Sequence, residues 1–165
     1  TENLTTKEPD LSFVNRVDSM DSDADVVVVF GGTNDFGHGD AKLGTFESRD
    51  PYTFYGAMHV LCEKLINRFP NADILFMTPL HRCSEDEVSK ENGLPEETNL
   101  AGYVSIIREV AEFYGLPVLD LFSTSGLQPK VDIIKETYMP DGLHPSDAGA
   151  LRIALRLMGF LQTLQ

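Results

Sequence analysis

The sequence predicts an α/β fold in which helices cover both faces of a parallel sheet. Three short apolar runs, at residues 26–30, 74–77 and 118–121, alternate with segments whose apolar residues recur every three or four positions. Short apolar runs are typical of buried strands, and their alternation with helices is typical of βαβ units. The 165 residues, 42% of them hydrophobic, can form a sizeable core. We expect a single domain over residues 1–165.

The first half of the chain predicts a short helix, a strand and a longer helix. The short helix lies around residues 13–20, with Asp10 as its candidate N-cap. The strand at residues 26–30, Val-Val-Val-Val-Phe, has no polar alternation, which is typical of a central strand covered on both faces. The longer helix is expected to start with Asp50 as its candidate N-cap and Pro51 at its first helical position. Its inward face carries five apolar residues: Phe54, Met58, Leu61, Leu65 and Phe69.

The second half predicts two further strands, at residues 74–77 and 118–121, and two further helices. One helix starts near Asn99 and ends at Gly115, because glycine readily adopts the positive φ that terminates many helices. Its inward residues are Leu100, Tyr103, Ile107, Val110 and Tyr114. The last helix follows Pro145. It is expected to bury the stripe formed by Ala148, Leu151, Leu155 and Met158.

An acidic segment, residues 84–98, separates the second strand from the helix that follows it. It contains six carboxylates against one lysine. A segment of this composition buries too little apolar surface to order itself strongly, so we interpret it as a solvated loop. A mobile flap over the site is the alternative, because long loops in compact domains are often functional.

The overall charge excludes several classes of partner. Thirteen Lys and Arg residues against 26 Asp and Glu residues give a formal net charge of −13, which repels nucleic acids and anionic lipid surfaces.

No apolar run approaches the roughly 18 residues of a membrane-spanning helix. The two cysteines and four histidines show no metal-ligand spacing, so we predict neither a metal nor a cofactor. We expect a cytoplasmic location, and secretion is left open because the chain starts at Thr1.

Polar residues suited to ligand binding follow the first two strands. Ligands bind beyond the carboxyl ends of the strands in open parallel sheets. The first strand ends in Gly31-Gly32-Thr33-Asn34-Asp35, where the glycines allow close approach of the backbone and the Asn34 amide can donate to an oxyanion. An Asn-Asp turn with local caps is the alternative. After the second strand, His81 and Arg82 are candidate substrate-binding residues, although Arg82 could instead pair with the acidic segment.

The segment Asp141-Gly142-Leu143-His144-Pro145 precedes the last helix and carries a candidate acid–base pair. Histidine can both take and return a proton near neutral pH. Asp141 is placed to accept a hydrogen bond from Nδ1 of His144, which would leave Nε2 free to act as a base. The alternative is an Asp-Gly turn with a surface histidine at the start of a helix.

Together these segments resemble a known enzyme family. Gly32-Thr33-Asn34-Asp35 after an apolar strand, combined with Asp141-Gly142-Leu143-His144-Pro145 before the last helix, resembles two sequence blocks of the SGNH (GDSL) hydrolases. The resemblance implies a flavodoxin-like three-layer fold and serine-dependent hydrolysis of small acyl esters, such as acylated sugars or lipids, without a metal. It also implies that Asn34 is an oxyanion donor, that Gly32 is the glycine preceding it, and that Asp141 and His144 belong to the catalytic triad.

The nucleophilic serine of that family has no counterpart here. Ser19 follows Asp18 as in the family's Gly-Asp-Ser block, but it falls in the short helix, and a nucleophile must reach its base within about 3 Å. We therefore predict that the serine and the N-terminal strands lie upstream of residue 1, that one of them pairs with the strand at residues 26–30, and that the chain alone is inactive. A non-catalytic binding module and, last, a phosphate-binding flavodoxin-like domain are the alternatives.

Overall fold

The computed structural model describes residues 12–38, 42–87 and 98–164. These residues form three strands and seven α-helices, with a 3-10 turn at Val17–Ser19 after the first helix. The strands are β1 (Val26–Phe30), β2 (Asp73–Met77) and β3 (Val118–Leu119). The helices are α1 (Phe13–Arg16), α2 (Thr33–His38), α3 (Phe54–Arg68), α4 (Leu100–Phe113), α5 (Leu121–Thr124), α6 (Asp132–Tyr138) and α7 (Asp147–Leu161).

The three strands form one parallel sheet in the order β1-β2-β3. Five residue pairs join β1 to β2, from Val26 opposite Asp73 to Phe30 opposite Met77. Only two pairs join β2 to β3. Parallel strands need crossover connections, and here α3 and α4 provide them. The predicted α/β fold with a parallel sheet is confirmed.

Alternate residues of β2 enter two different cores, one on each face of the sheet. Ile74 and Phe76 pack with α1, α3 and α4. Leu75 and Met77 pack with α6, α7 and the chain after β3. Because side chains alternate across a strand, β2 is covered on both faces, as expected for the middle strand of a three-layer fold.

The helices α3 and α4 bury the faces predicted for them, apart from the half-buried Tyr114 at the end of α4, but α3 starts later than expected. All five residues of its predicted stripe are buried. Its N-cap is Thr53, whose side chain accepts from the Gly56 amide, whereas Asp50 and Pro51 lie in the preceding turn. Asp50 Oδ1 accepts from the Tyr52 amide at 3.0 Å. The prediction that Asp50 caps the helix was therefore wrong, because its carboxylate closes a local turn.

The third strand is shorter than predicted. It ends at Leu119, and Leu121 already belongs to α5. Asp120 caps this short helix by accepting from the Ser123 amide at 3.2 Å, and it also pairs with Arg108 at 2.6 Å. A side chain that caps a helix ends the strand before it, which the apolar pattern alone does not reveal.

The last helix turns a different face to the core from the one predicted. The predicted stripe of α7 is exposed, with Leu151, Leu155 and Met158 at 59–61%. The residues that pack against the second core are instead Ile153, Leu157, Phe160 and Leu161. Both sets follow helical spacing, so the sequence offers two apolar faces, and contact with β2 and β3 selects one of them.

The first strand lies at the edge of the described sheet. Val27 is buried against α1 and α3, but on the opposite face Val26, Val28 and Phe30 are 39–43% exposed. A groove of about 470 Å³ runs along this strand, between it and the segment from Phe13 to Met20. The expectation that β1 is covered on both faces therefore does not hold within the described residues, and the upstream strands that would cover it stay a prediction.

Two other expectations fall wholly or partly outside the described residues. The candidate cap Asp10 lies there, as does most of the acidic segment, residues 88–97, so its role as a loop or a flap stays a prediction.

In the part of the chain that the structure describes, no helix has both the length and the apolar character needed to cross a membrane. Nor does that part bring together three His, Cys, Asp or Glu side chains that could hold a metal ion.

Two leucines, one buried in β2 and one exposed on α7, should differ strongly in what their replacement by alanine costs. In the 165-residue chain, Leu75→Ala should lower the free energy of unfolding by about 2–5 kcal/mol, because Leu75 is fully buried in the second core. Leu155→Ala, on the exposed stripe of α7, should change it by less than about 0.5 kcal/mol. Urea denaturation followed by circular dichroism measures both. Equal losses would mean that the exposed stripe is in fact covered.

Candidate active site

The candidate site is a pocket where three connections meet at the carboxyl edge of the sheet. Its volume is about 170 Å³. The connections after β1 and β2 and the turn before α7 all contribute to its wall. The lining residues are Phe30, Gly31, Thr33, Asn34, Pro79, Leu80, Leu143, His144 and Pro145. The pocket therefore brings together Asn34 and His144, which lie more than a hundred residues apart in the sequence.

The connection after β1 leads directly into α2, which carries Asn34. Gly32 adopts φ +102°, and a side chain there would also crowd Ile107, whose Cδ1 would lie 3.2 Å from the added Cβ. The Phe36 amide donates to the Gly32 carbonyl at 3.2 Å and closes the first turn of the helix. Asn34 is exposed, and its side chain has no hydrogen-bond partner among the described residues. The amide is therefore available to a ligand in the pocket.

The turn before α7 holds Asp141 and His144 together. Nδ1 of His144 donates to Oδ2 of Asp141 at 2.7 Å. The other carboxylate oxygen, Oδ1, accepts from the backbone amides of His144 at 2.7 Å and Leu143 at 2.9 Å. Hydrogen bonds from the His144 ring and from these two amides lower the pKa of Asp141 below its usual value. Because an ionised carboxylate can only accept, the proton lies on Nδ1 and Nε2 is free to act as a base.

Gly142 fastens this turn to the connection after β2. Its φ of +77° belongs to the left-handed region that favours glycine. Its carbonyl accepts from the Cys83 amide at 2.9 Å. A Cβ at this position would lie 2.5 Å from Sγ of Cys83, so no larger residue fits without movement. This contact sets the position of the His144 turn relative to β2.

The predicted substrate-binding pair, His81 and Arg82, does not line this pocket. His81 donates from Nδ1 to Oε2 of Glu85 at 2.5 Å, and its ring lies over Phe122 with 3.9 Å between ring centroids. Burial of Glu85 raises its pKa, but hydrogen bonds, from Lys130 first, outweigh this and hold the pKa below its usual value. Arg82 turns towards α2. Both side chains are therefore engaged within the protein, and their role in substrate binding stays a prediction.

Sequence reasoning missed the apolar part of the wall. Pro79 and Leu80 line the pocket, whereas the sequence pattern predicts a role only for His81 and Arg82, the polar residues that follow them. Leu143, between the two members of the Asp–His pair, lines it as well. The positions of these three residues in the sequence could have indicated their role. Apolar residues directly after a strand, or inside a functional turn, lie at the carboxyl edge of the sheet, where ligands bind.

Comparison with known proteins agrees with this geometry. Residues 4–152 match the family model described as the GDSL-like lipase/acylhydrolase family. The chain belongs to this family. A protein whose sequence is 40% identical has a crystal structure that superposes on this chain with a TM-score of 0.81. The match covers 91% of this chain and 69% of the other. A Lactobacillus plantarum protein that is 33% identical gives a TM-score of 0.81, with 91% and 72% covered.

A more distant structure shares the fold alone. It is a carbohydrate esterase family 3 protein from Talaromyces cellulolyticus, 16% identical, with a TM-score of 0.61 and coverage of 94% of this chain and 66% of the other. No curated protein sequence matches the chain significantly. For the GDSL-like chain, family membership supports ester hydrolysis in general and small-molecule esters as substrates.

Proposed function

We propose that this chain supplies the acid–base pair and an oxyanion donor of a serine esterase. The observation that carries the proposal is the 2.7 Å hydrogen bond from Nδ1 of His144 to Asp141, in a turn that lines the same pocket as Asn34. A serine hydroxyl from a segment upstream of residue 1 would complete the triad. Such a constellation hydrolyses acyl esters without a metal or a cofactor.

Each residue has a defined task in this reaction. Nε2 of His144 takes the proton of the serine hydroxyl as its oxygen attacks the ester carbonyl carbon, and then returns that proton to the leaving alcohol. Asp141 holds the ring in the required tautomer and stabilises the imidazolium that forms. The Asn34 amide donates to the oxyanion of the tetrahedral intermediate. Water then releases the acid from the acyl-serine by the same steps.

The exposure of Asp141 and His144 supports the proposal that a segment upstream of residue 1 covers them. The side chains of His144 and Asp141 are 76% and 54% exposed. Water weakens electrostatic interactions, so a catalytic pair of this kind acts better when another segment shields it. The open face and edge of β1 leave room for such a segment, because an additional parallel strand could pair there. Ser19 does not replace the upstream serine as the nucleophile, since its hydroxyl donates to the Arg16 carbonyl at 3.0 Å.

The substrate is a small acyl ester, of a sugar, a lipid or another alcohol. The pocket wall contributed by Pro79, Leu80 and Leu143 is apolar and suits the acyl group. The net charge of −13 disfavours anionic alcohol groups at a distance.

A fluorophosphonate probe, which labels activated serines, tests the proposal. The protein expressed from its full reading frame should hydrolyse p-nitrophenyl acetate and lose this activity as one serine upstream of residue 1 becomes labelled, identified by mass spectrometry of its peptides. The 165-residue chain should remain unlabelled. A full-length protein that is neither labelled nor active on short acyl esters would contradict the proposal and favour the non-catalytic binding module.

A further inference from the structure

The turn that follows β2, residues 81–85, contacts both halves of the candidate site. Its Arg82 side chain reaches the segment that carries Asn34, and its Cys83 amide holds the turn that carries His144. We propose that Arg82 is a positioning residue, which fixes the Asn34 amide where the oxyanion forms. This inference rests on the ester hydrolysis proposed above, but it concerns a residue outside the lining of the pocket.

Two contacts of Arg82 lie on either side of Asn34 in the sequence, and a glycine next to them leaves room for the guanidinium. Nη1 donates to the Thr33 carbonyl at 3.4 Å. The guanidinium carbon lies 5.4 Å from the centre of the Phe36 ring, a cation–π contact. Nη1 would also lie 2.8 Å from a Cβ added to Gly37, so the absence of a side chain there gives the guanidinium its place. Arg82 therefore holds α2 on both sides of Asn34.

Arg82 is itself fixed by its neighbours. Its Nε donates to the Ser84 hydroxyl at 3.1 Å, and its backbone amide donates to Oε2 of Glu85 at 3.3 Å. The Glu85 side chain is 8% exposed and also accepts from Gln128 at 3.0 Å and from Lys130 at 3.0 Å. Because these contacts already fix the turn, the guanidinium of Arg82 loses little further conformational entropy when it binds α2.

The segment that Arg82 holds has little stability of its own. The helix α2 spans only Thr33–His38, and helices this short are not stable in isolation. Its contribution to the core is Phe36, the same ring that Arg82 covers. Removing the guanidinium should therefore loosen the segment that carries the oxyanion donor, and a misplacement of about 1 Å can cost on the order of 100-fold in rate.

A double-mutant cycle separates positioning from direct substrate binding. In the full-length protein, Arg82→Ala should lower kcat for p-nitrophenyl acetate by on the order of 10-fold to 100-fold with little change in KM. In the Asn34→Ala background, where the donor is already absent, the same change should cost less than about 2-fold, because the two residues act as one unit. Arg82→Lys, which keeps the positive charge and a donor nitrogen but not the planar fork, should be intermediate.

Two kinetic outcomes would overturn the inference. Losses that simply multiply in the double variant would show that Arg82 does not act through Asn34. A raised KM with unchanged kcat would instead assign Arg82 to substrate binding.

Hydrogen exchange of the same full-length variants gives a readout that does not depend on activity. Amides of residues 33–38 should exchange faster in Arg82→Ala than in the wild type. Arg152→Ala is the matched control, because Arg152 also donates to a backbone carbonyl, that of Gly126 at 3.3 Å, and lies 4.6 Å from the centre of the Tyr138 ring. This control should leave both turnover and the exchange of residues 33–38 unchanged.

The two measurements distinguish failure of this inference from failure of the proposed function. A wild-type protein without esterase activity would refute the proposed function, while faster exchange in Arg82→Ala would still show that Arg82 orders the Asn34 segment. An active wild type with unchanged exchange in Arg82→Ala would refute the positioning role alone.

Discussion

Replacing His144 by alanine in the full-length protein should reduce kcat/KM for p-nitrophenyl acetate by about 10⁴-fold or more. Without Nε2, no group in the described pocket can take the proton from a serine hydroxyl. Removing the histidine of a catalytic triad typically costs nearly as much as removing the whole triad, because the members act as a unit. Initial rates with this ester, measured by release of p-nitrophenolate, test the expectation.

Controls for this variant separate loss of the base from loss of structure. In the 165-residue chain, where the His144 side chain is 76% exposed, the same substitution should hardly change the melting temperature. Added imidazole should restore part of the activity if the missing group is the base. His38→Ala, which removes another exposed histidine that does not line the pocket, should retain wild-type rates. Full activity in His144→Ala would refute the assigned role.

The parts of the site that depend on neighbouring residues could be predicted from the sequence. The turn from Asp141 to His144 needs only residues three apart and a glycine between them, so its internal hydrogen bond follows from local geometry. Asn34 could be placed at the pocket because it follows an apolar strand and two glycines. The strands β1 and β2 were predicted for the same reason, from short apolar runs.

The parts that depend on contacts between distant segments could not be predicted. The partners of Arg82 are a carbonyl and a ring on α2, and no pattern in the sequence connects them. The choice between the two apolar faces of α7 is similar, because Leu155 and Leu157 both fall on stripes with helical spacing. Only the position of the helix against the sheet decides which face is buried.

Asp141→Asn should lower kcat in the full-length protein by about 10⁴-fold, the loss found when an asparagine replaces the aspartate of a serine protease triad. The reason lies in the two backbone amides that face Oδ1, those of Leu143 and His144. They require an acceptor, so the asparagine keeps its oxygen there and turns its NH₂ group towards Nδ1 of His144. The ring must then accept at Nδ1 and carry its proton on Nε2, where it cannot act as a base.

The pH dependence of the wild type should not contain a contribution from Asp141 near neutrality. Its pKa is lowered by the donors around it, chiefly the His144 ring, so the carboxylate loses its charge only below the ordinary aspartate value of about 3.9. The stabilisation it gives the imidazolium is therefore present throughout the neutral range and is lost as the pH falls through this lowered value. If activity falls on the acid side of the pH profile at a pH above the pKa of Asp141, the titration of another group must cause that loss.

Nitrogen-15 chemical shifts of the His144 ring test the tautomer directly and do not require activity. In the wild type, the protonated nitrogen of the neutral ring should be Nδ1, and in Asp141→Asn it should be Nε2. The amides of Leu143 and His144 should keep their protection from exchange, because the asparagine oxygen still closes the turn. If the turn persists and the tautomer changes while activity falls, orientation of the ring explains the loss. An unchanged tautomer in an inactive variant would contradict this mechanism, and disappearance of the turn would assign Asp141 a structural role instead.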